Sequence, residues 1–120
     1  MAGDVTTPGL VLSVILREKI DTIMHFAAHT HVDCSFADSM IFTQNNVVGT
    51  HAILEACRSC QPQIRRFVHV STDEVYGENV DNDEQGFLET DPLNPTNPYA
   101  ASKASAEMLV KAYIKVRCYP

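Results

Sequence analysis

Two side chains near the end of the sequence have the types and the spacing of a catalytic pair. Tyr99 and Lys103 are four residues apart in a run with helical periodicity, so they would share one face of a helix, about 6 Å apart along its axis. A lysine ammonium beside a phenol favours the ionised phenolate, which could accept the proton of an alcohol. The same spacing is common in exposed amphipathic pairs, so the two residues alone leave both interpretations open.

A hydroxyl group and two acids follow a run of strand type in the segment Ser71-Thr72-Asp73-Glu74. Adjacent carboxyl groups on a turn can point to different sites. One kept protonated and one kept ionised would serve as the acid and the base of an elimination. The alternative is a turn or helix cap formed by Asp73 with a solvated Glu74.

The chemistry requires elements that bring these residues to one edge of a sheet. Thr7 before Pro8, and Asn97 before Pro98, have the pattern of a helix cap followed by proline at the first helical position. Hydrophobic periodicity and β-branched runs predict the remaining elements. They are helices over residues 8–19, 38–58 and 99–116, buried strands over 21–28 and 66–71, a polar loop over 29–36, and an acidic solvated loop over 73–91.

Alternating helices and buried strands predict a parallel α/β sheet with right-handed crossovers. Two strands are too few for such a sheet, and the glycines nowhere form the G-x-G-x-x-G loop that holds a dinucleotide phosphate. Ligands of open α/β sheets bind where the strands end, and Ala27 and Ala28 would let a flat ligand lie against the backbone there. Ordinary close packing of helix on strand is the alternative for these two alanines.

Composition excludes several classes of function. The net charge of −6 has the wrong sign for binding nucleic acid or an anionic membrane. No apolar run approaches the roughly 20 residues that span a bilayer, and the four cysteines are too scattered for a secreted disulfide scaffold. We therefore expect a cytosolic protein with reduced thiols.

Two further motifs are weak signals. Cys57 and Cys60 have the C-x-x-C spacing of redox-active cysteine pairs. They lie at the end of a predicted helix, however, whereas redox-active pairs normally lie at the start of one. His29 and His31 lie in a polar loop with no third ligand at a helical offset. We expect neither a redox site nor a metal site.

Three segments in this order resemble the nucleotide-sugar 4,6-dehydratases of the extended short-chain dehydrogenase/reductase family. They are Phe26-Ala27-Ala28-x-Thr30-His31-Val32-Asp33, Ser71-Thr72-Asp73-Glu74-Val75-Tyr76-Gly77 and Asn97-Pro98-Tyr99-x-x-x-Lys103. The Tyr-x-x-x-Lys motif is common to the superfamily, whereas Thr-Asp-Glu separates dehydratases from sugar epimerases, which usually carry Ser-Ser there. The similarity is strongest to UDP-glucose 4,6-dehydratases of rhamnose synthesis, followed by the dTDP-glucose enzymes.

The resemblance implies a role for each residue of these motifs. Tyr99 would take the proton of the sugar C4 hydroxyl while NAD⁺ oxidises that carbon, with Lys103 supporting Tyr99 and holding the nicotinamide ribose. Thr72 would bind the same hydroxyl. Glu74 would remove the C5 proton while Asp73 protonates the departing C6 hydroxyl. The hydride would then return to C6, which gives a 4-keto-6-deoxy sugar nucleotide with NAD retained.

The resemblance also implies binding residues and partners. The NAD contacts are Asp4, Val5, Phe26, Ala27, Ala28, Asn45, Tyr99 and Lys103, and Thr30 and Thr72 contact the substrate. The implied fold is part of a Rossmann-like doubly wound parallel sheet, and the family is expected to form homodimers. His29 stands where relatives usually carry Gln or Glu.

The family pattern extends beyond both ends of this sequence. Relatives carry a glycine-rich unit before the position of Asp4 and a substrate domain after that of Pro120. We therefore expect residues 1–120 to be a single incomplete NAD-binding domain, an internal fragment that is inactive by itself. The alternatives are a non-catalytic module that interacts through its long helices, or a sugar-nucleotide epimerase.

Overall fold

The structure, a computed structural model, describes residues 2–78 and 86–115. Its elements include the helices α1 (Leu10–Glu18), α2 (Val32–Ala37), α3 (Ser39–Phe42), α4 (Gly49–Ser59) and α5 (Pro98–Lys115), and the strands β1 (Thr22–His25) and β2 (Arg66–His69). A π-helical segment, Thr43–Val48, joins α3 to α4, and a 3₁₀ helix, Asp73–Tyr76, follows β2. In this part of the chain, no helix has the length and apolarity needed to span a bilayer.

The two strands pair in parallel, as predicted. Thr22 lies opposite Arg66 and His25 lies opposite His69, and α2, α3 and α4 form the crossover between the strands. Both strands are shorter than predicted, and the prediction that they are buried was wrong: His25 is the one fully buried residue of β1, and β2 has none. Because the described sheet has two strands, each of them is an edge strand. Beyond the end of β1 at His25, the backbone of His29 bonds to the side chain of Asn46 in the segment Thr43–Val48.

The start of α1 differs from the prediction. The helix begins at Leu10 and its N-cap residue is Gly9, with φ 75° and no side-chain cap, so the prediction of Thr7 as cap and Pro8 as first helical residue was wrong. The carbonyl of Thr7 instead accepts a hydrogen bond from the amide of Leu10 in a turn. That turn needs a left-handed residue before the helix, and Gly9 adopts this conformation without steric cost.

A single long helix runs from Ser39 to Ser59, which confirms the helix predicted over 38–58. Asp38 caps its start by accepting from the amide of Ile41 at 3.3 Å. Backbone angles stay right-handed helical at the junctions of α3, the π segment and α4, so the chain does not break there. The buried face includes Phe42, Asn46 and Thr50.

The predicted loop over 29–36 was partly wrong, because α2 occupies Val32–Ala37. Ser35 is fully buried and its hydroxyl donates to the carbonyl of Val32 at 2.6 Å. Asp33 lies in the first turn of α2, where an acid is favoured by the helix dipole. The hydroxyl bond inside the helix and this acid give a polar segment a helical structure that hydrophobic periodicity does not reveal.

A core cluster lies between α1, α4 and the sheet. Ile15, Ile53, Cys57 and Ile64 are buried in it, and Phe67 of β2 packs against it. The burial of Cys60 raises the pKa of its thiol, which is opposite to the lowered pKa of a redox-active cysteine. Within residues 2–78 and 86–115, no group of three or more His, Cys, Asp or Glu side chains is placed to hold a metal ion.

The segment after β2 forms a tight turn rather than an extended loop. The 3₁₀ helix Asp73–Tyr76 ends at Gly77, whose φ of 93° suits glycine. A Cβ at Gly77 would lie 2.5 Å from the carbonyl oxygen of Asn94, so glycine also permits this close approach. The predicted acidic loop over 73–91 is therefore structured at its beginning, and residues 79–85 lie outside the described part.

Candidate active site

Helix α5 carries Tyr99 and Lys103 in its first two turns. The side-chain oxygen of Asn97 accepts a hydrogen bond from the amide of Ala100 at 2.8 Å, and Pro98 is the first helical residue. The predicted cap of this helix is therefore confirmed. Tyr99 and Lys103 are both buried, 7% and 5% exposed, which excludes the alternative of an exposed amphipathic pair.

The ammonium of Lys103 is held at the end of β2. Its Nζ donates to the carbonyl oxygen of Val70 at 2.5 Å, and burial lowers the pKa of Lys103 while the nearby charge of Glu107 raises it. The ring of Tyr99 packs edge-on against Phe42, with centroids 6.3 Å apart. Tyr99 is thus positioned by the long helix, and Lys103 by the strand that precedes the acid segment.

The acid segment is bonded to the same helix. Ser71 donates from Oγ to Oε1 of Glu107 at 2.5 Å, and Asn97 donates from Nδ2 to Oε2 of Glu74 at 2.9 Å. Together with the bond from Lys103 to Val70, three hydrogen bonds join the segment after β2 to α5 and its cap. The structure therefore brings the two predicted halves of the catalytic set together.

Within the acid segment, the side chains differ in role and exposure. Thr72 caps the 3₁₀ helix by accepting from the amide of Glu74 at 3.4 Å, and it donates to Oδ1 of Asp73 at 3.2 Å. Asp73 is exposed and Glu74 is half-buried. The capping residue is thus Thr72 rather than Asp73, so that part of the alternative interpretation was wrong, and the two carboxyl groups lie in different environments.

Asn97 makes two separable contacts, which predicts a difference between two substitutions. Asn97→Ala should lower the free energy of unfolding by about 1 kcal/mol, because it removes the helix cap. Asn97→Ser should stay closer to the wild type, because serine is also a good cap, although it cannot supply the amide donor to Glu74. Urea unfolding midpoints measure this difference. Equal destabilisation by both variants would show that the contact with Glu74, not the cap, dominates stability.

The predicted cofactor residues fall into two groups. Val5, Phe26 and Ala27 line one groove of about 590 Å³ along α1 and β1. Asp4 is the sequence neighbour of Val5, which lines the groove. The Asp4 carboxylate accepts hydrogen bonds from the amide and the hydroxyl of Thr6, and these bonds lower the pKa of Asp4. Residues of this set that do not line the groove are Asp4, Ala28, Asn45, Tyr99 and Lys103.

Thr30, the predicted substrate contact, is exposed on the loop after β1. Asn45 bonds within its own helix, from Nδ2 to the carbonyl of Ile41 at 2.9 Å. Within the described residues, neither side chain is seen to bond to the acid segment or to α5, so their predicted roles rest on the resemblance alone.

The residue that sequence reasoning missed is the neighbouring Asn46. It is 1% exposed. Its Oδ1 accepts from the amide of His29 at 2.8 Å, and its Nδ2 donates to the carbonyl of His29 at 2.9 Å and to Oγ of Ser102 at 2.8 Å. Ser102 in turn donates to the carbonyl of Tyr99 at 2.7 Å. Asn46 therefore joins the loop after β1 to the first turns of α5.

Two histidines lie opposite each other on the paired strands β1 and β2. His25 and His69 are cross-strand neighbours with ring centroids 5.5 Å apart. Burial, the other histidine and Lys103 lower the pKa of His25 to about 4, and burial and Lys103 do the same for His69. His25 bonds through Nε2 to the hydroxyl of Thr50 at 2.9 Å. Both ring nitrogens of His69 are buried without a hydrogen-bond partner among the described residues.

A sequence profile described as GDP-mannose 4,6 dehydratase matches residues 1–118. The chain belongs to this dehydratase family. It is 59% identical over 111 residues to a trifunctional UDP-glucose 4,6-dehydratase/UDP-4-keto-6-deoxy-D-glucose 3,5-epimerase/UDP-4-keto-L-rhamnose-reductase of Arabidopsis thaliana, which covers 92% of this chain and 17% of that one. It is 47% identical to a dTDP-D-glucose 4,6-dehydratase of Dictyostelium discoideum, with 94% and 27% covered.

Solved structures of the dehydratase family and of epimerases have the same fold. A dTDP-glucose 4,6-dehydratase from Streptomyces venezuelae with NAD bound superimposes with a TM-score of 0.84 at 42% identity, over 94% of this chain and 33% of that chain. A UDP-glucose 4-epimerase from Brucella ovis with NAD gives 0.84 at 27% identity, over 96% and 34%. These similarities confirm the predicted family and the partial Rossmann-like fold. The chain spans about a sixth to a third of the length of these relatives.

Proposed function

We propose that the chain forms the catalytic centre of an NAD-dependent dehydratase that converts a nucleoside-diphosphate glucose to its 4-keto-6-deoxy sugar. The observation that carries the proposal is the set of three hydrogen bonds that join α5 and its cap to the segment after β2. An oxidation followed by an elimination needs a base for an alcohol and a separate acid and base for the loss of water. The similarity to UDP-glucose and dTDP-glucose 4,6-dehydratases supports the same reaction.

The cofactor proposal rests on the groove beside β1. Its apolar and small residues Val5, Phe26 and Ala27 fit the flat rings of a dinucleotide. The residues proposed to hold NAD are Asp4, Val5, Phe26, Ala27, Ala28, Asn45, Tyr99 and Lys103. When bound, NAD⁺ would supply the acceptor for the C4 hydride and, after the loss of water, the donor of that hydride to C6, so it would be retained between turnovers. The related structures that contain NAD support this choice of cofactor.

In the oxidation step, Tyr99 accepts the proton of the sugar C4 hydroxyl. Lys103 lies one turn further along the same helix, where it supports Tyr99 and holds the nicotinamide ribose in this proposal. Its bond to the carbonyl of Val70 fixes the position of its ammonium. Thr72 binds the hydroxyl that is oxidised, and the new C4 ketone acidifies the neighbouring C5 proton.

In the elimination step, Glu74 removes the C5 proton and Asp73 donates a proton to the departing C6 hydroxyl. The half-buried position of Glu74, bonded to Asn97, supports a fixed base. The exposed position of Asp73 supports a group that reloads its proton from solvent. Thr30 contacts the substrate in this proposal.

The proposal includes a homodimer, as the resemblance implies, and the cytosolic location expected from the composition. Large apolar side chains that are exposed on the long helices support pairing of two copies, among them Met40 and Ile41 on α3 and Met108 and Ile114 on α5.

The test is dehydration of the sugar nucleotide, followed by mass spectrometry. The purified chain is incubated with NAD⁺ and either UDP-glucose or dTDP-glucose. A hybrid is assayed in parallel, in which residues 1–118 replace the matching segment of the Streptomyces venezuelae dehydratase. We expect the hybrid to form a product that has lost one water. Tyr99→Phe should lower its rate by about 10²- to 10⁴-fold, the usual contribution of a general base.

The matched control is Tyr113→Phe, which removes a phenol from the far end of the same helix. It should leave the rate of the hybrid close to that of the unsubstituted one. A folded hybrid that binds NAD⁺ and forms no product would contradict the proposal. A product of unchanged mass would identify an epimerase instead, the function of other proteins with this fold.

A further inference from the structure

Glu107 lies one turn after Lys103 on α5 and has no role in the proposed reaction. Its Oε1 accepts from Oγ of Ser71 at 2.5 Å, and its Oε2 lies 3.5 Å from Nζ of Lys111. The Glu107 side chain is 19% exposed, whereas that of Lys111 is 57% exposed. The carboxylate therefore faces the site with one oxygen and the solvent-exposed lysine with the other.

Among the described residues, the other titratable side chains that interact with Lys103 are two histidines, which are neutral at pH 7. His25 of β1 and His69 of β2 both interact with its charge, and the Val70 carbonyl accepts its hydrogen bond. Glu107 is the acid that acts on this group in the described part of the chain, and it opposes the effect of burial on the pKa of Lys103. A buried ammonium is stable only if it is paired and hydrogen-bonded.

Lys103 and Glu107 of α5 bind two consecutive residues of the segment after β2. Lys103 bonds the carbonyl of Val70 and Glu107 bonds the hydroxyl of Ser71. Because Thr72, Asp73 and Glu74 follow directly, the position of Ser71 sets where this acid segment starts.

We propose that Glu107 is a positioning residue, which fastens Ser71 to α5 and places a negative charge one helical turn from the buried Lys103 ammonium. Its consequence for catalysis rests on the proposed function, whereas the two contacts do not. If Glu107 served only as a surface partner of Lys111, its replacement would change neither Lys103 nor the segment after β2.

Two substitutions distinguish the effect of the negative charge of Glu107 from the effect of the length of its side chain. Glu107→Gln keeps an oxygen that accepts from Ser71 but removes the charge, and Glu107→Asp keeps the charge but shortens the side chain. The control Lys111→Gln removes the exposed partner alone. Two measurements are made on the full chain without NAD or sugar: the NMR titration of Lys103 with labelled lysine, assigned through Lys103→Arg, and amide hydrogen exchange at Thr72 and Glu74.

We expect Glu107→Gln to shift the Lys103 titration to lower pH and to leave the amide exchange near wild type. Glu107→Asp should give the opposite pattern, with exchange roughly fivefold faster, the factor that corresponds to about 1 kcal/mol for one hydrogen bond. Lys111→Gln should change neither measurement.

An unshifted Lys103 titration in folded Glu107→Gln would overturn the charge role. Unchanged exchange in both Glu107→Asp and Ser71→Ala would overturn the positioning role. If Glu107→Gln does not fold, the exchange comparison of Ser71→Ala with wild type still decides the positioning role, and Glu107→Asp decides whether retained charge preserves the titration. Because neither measurement uses substrate, failure here is distinguishable from failure of the dehydratase proposal.

Discussion

Lowering the pH from 7 to 4 is expected to destabilise the protein by on the order of 5 kcal/mol through His25 and His69 together. Both histidines have a folded-state pKa of about 4, below the ordinary value of 6.5. The unfolded chain therefore binds protons below pH 6.5 that the folded chain does not bind. The contribution of the two neutral histidines to the free energy of unfolding is complete above pH 6.5. It is lost as the pH falls from 6.5 to 4, and it is absent below pH 4.

The physical cause is the position of the two rings. Burial disfavours the charged imidazolium, and the charge of Lys103 lies near both rings. The Thr50 hydroxyl donates to the carbonyl of Asn46 at 2.6 Å, so it accepts from His25 Nε2, a pairing that a neutral ring with its proton on Nε2 can make. The two histidines titrate as a pair, so the expected loss is assigned to both rather than divided between them.

Urea midpoints at several pH values between 7 and 4 measure this effect. His69→Phe is the informative variant, because His69 has no hydrogen-bond partner in the described structure and its replacement should flatten the dependence on pH. The control His31→Gln replaces an exposed histidine and should leave the curve unchanged. A wild-type curve that is flat over this range, or equally steep in His69→Phe, would refute the assignment.

Asn46→Ala is expected to lower the free energy of unfolding by about 2–4 kcal/mol. The substitution removes three hydrogen bonds from a side chain that is 1% exposed. It also leaves the backbone groups of His29 and the hydroxyl of Ser102 with fewer partners. Buried groups that lose their partners cost about 1–3 kcal/mol each when water cannot replace the bond, and access of water to the exposed His29 reduces this sum.

Asn45→Ala is the matched control for this experiment. It removes the same type of side chain from the adjacent position, where Asn45 bonds to the carbonyl of Ile41 in its own helix rather than to a distant segment of the described chain. We expect a change below about 1 kcal/mol for the control. Urea unfolding measures both variants, and exchange at the amide of His29 should become faster in Asn46→Ala alone. Similar losses for the two variants would contradict the role of Asn46.

The parts of the site that depend on local sequence were predictable. Asn97 before Pro98 identifies the start of α5 because capping and proline at the first position are local effects. The parallel pairing of the strands followed from the alternation of helices with runs of strand type, although the predicted burial of both strands was wrong. The helix α2 was missed because a short polar segment has little hydrophobic periodicity, and the start of α1 was misplaced because Gly9 supplies a left-handed residue after a proline turn.

The parts that depend on contacts between distant residues were not predictable. The pairing of His25 with His69 requires the strand register, and the bond of Ser71 to Glu107 requires the packing of α5 against the end of β2. Asn46 could have been found from the sequence, since it lies four residues after Phe42 and four before Thr50 on the buried face. The resemblance directed attention to Asn45 instead.

The parallel pairing of β1 with β2 also constrains the order of events in folding. Thr22 meets Arg66 only across the whole crossover of α2, α3 and α4, and closing a chain segment of this length costs roughly 3 kcal/mol of entropy. Helical turns need no such closure and form within microseconds. We therefore expect the pairing of the two strands to be a late step in folding, which would bring His25, His69 and the acid segment to their final places after helical turns have started to form.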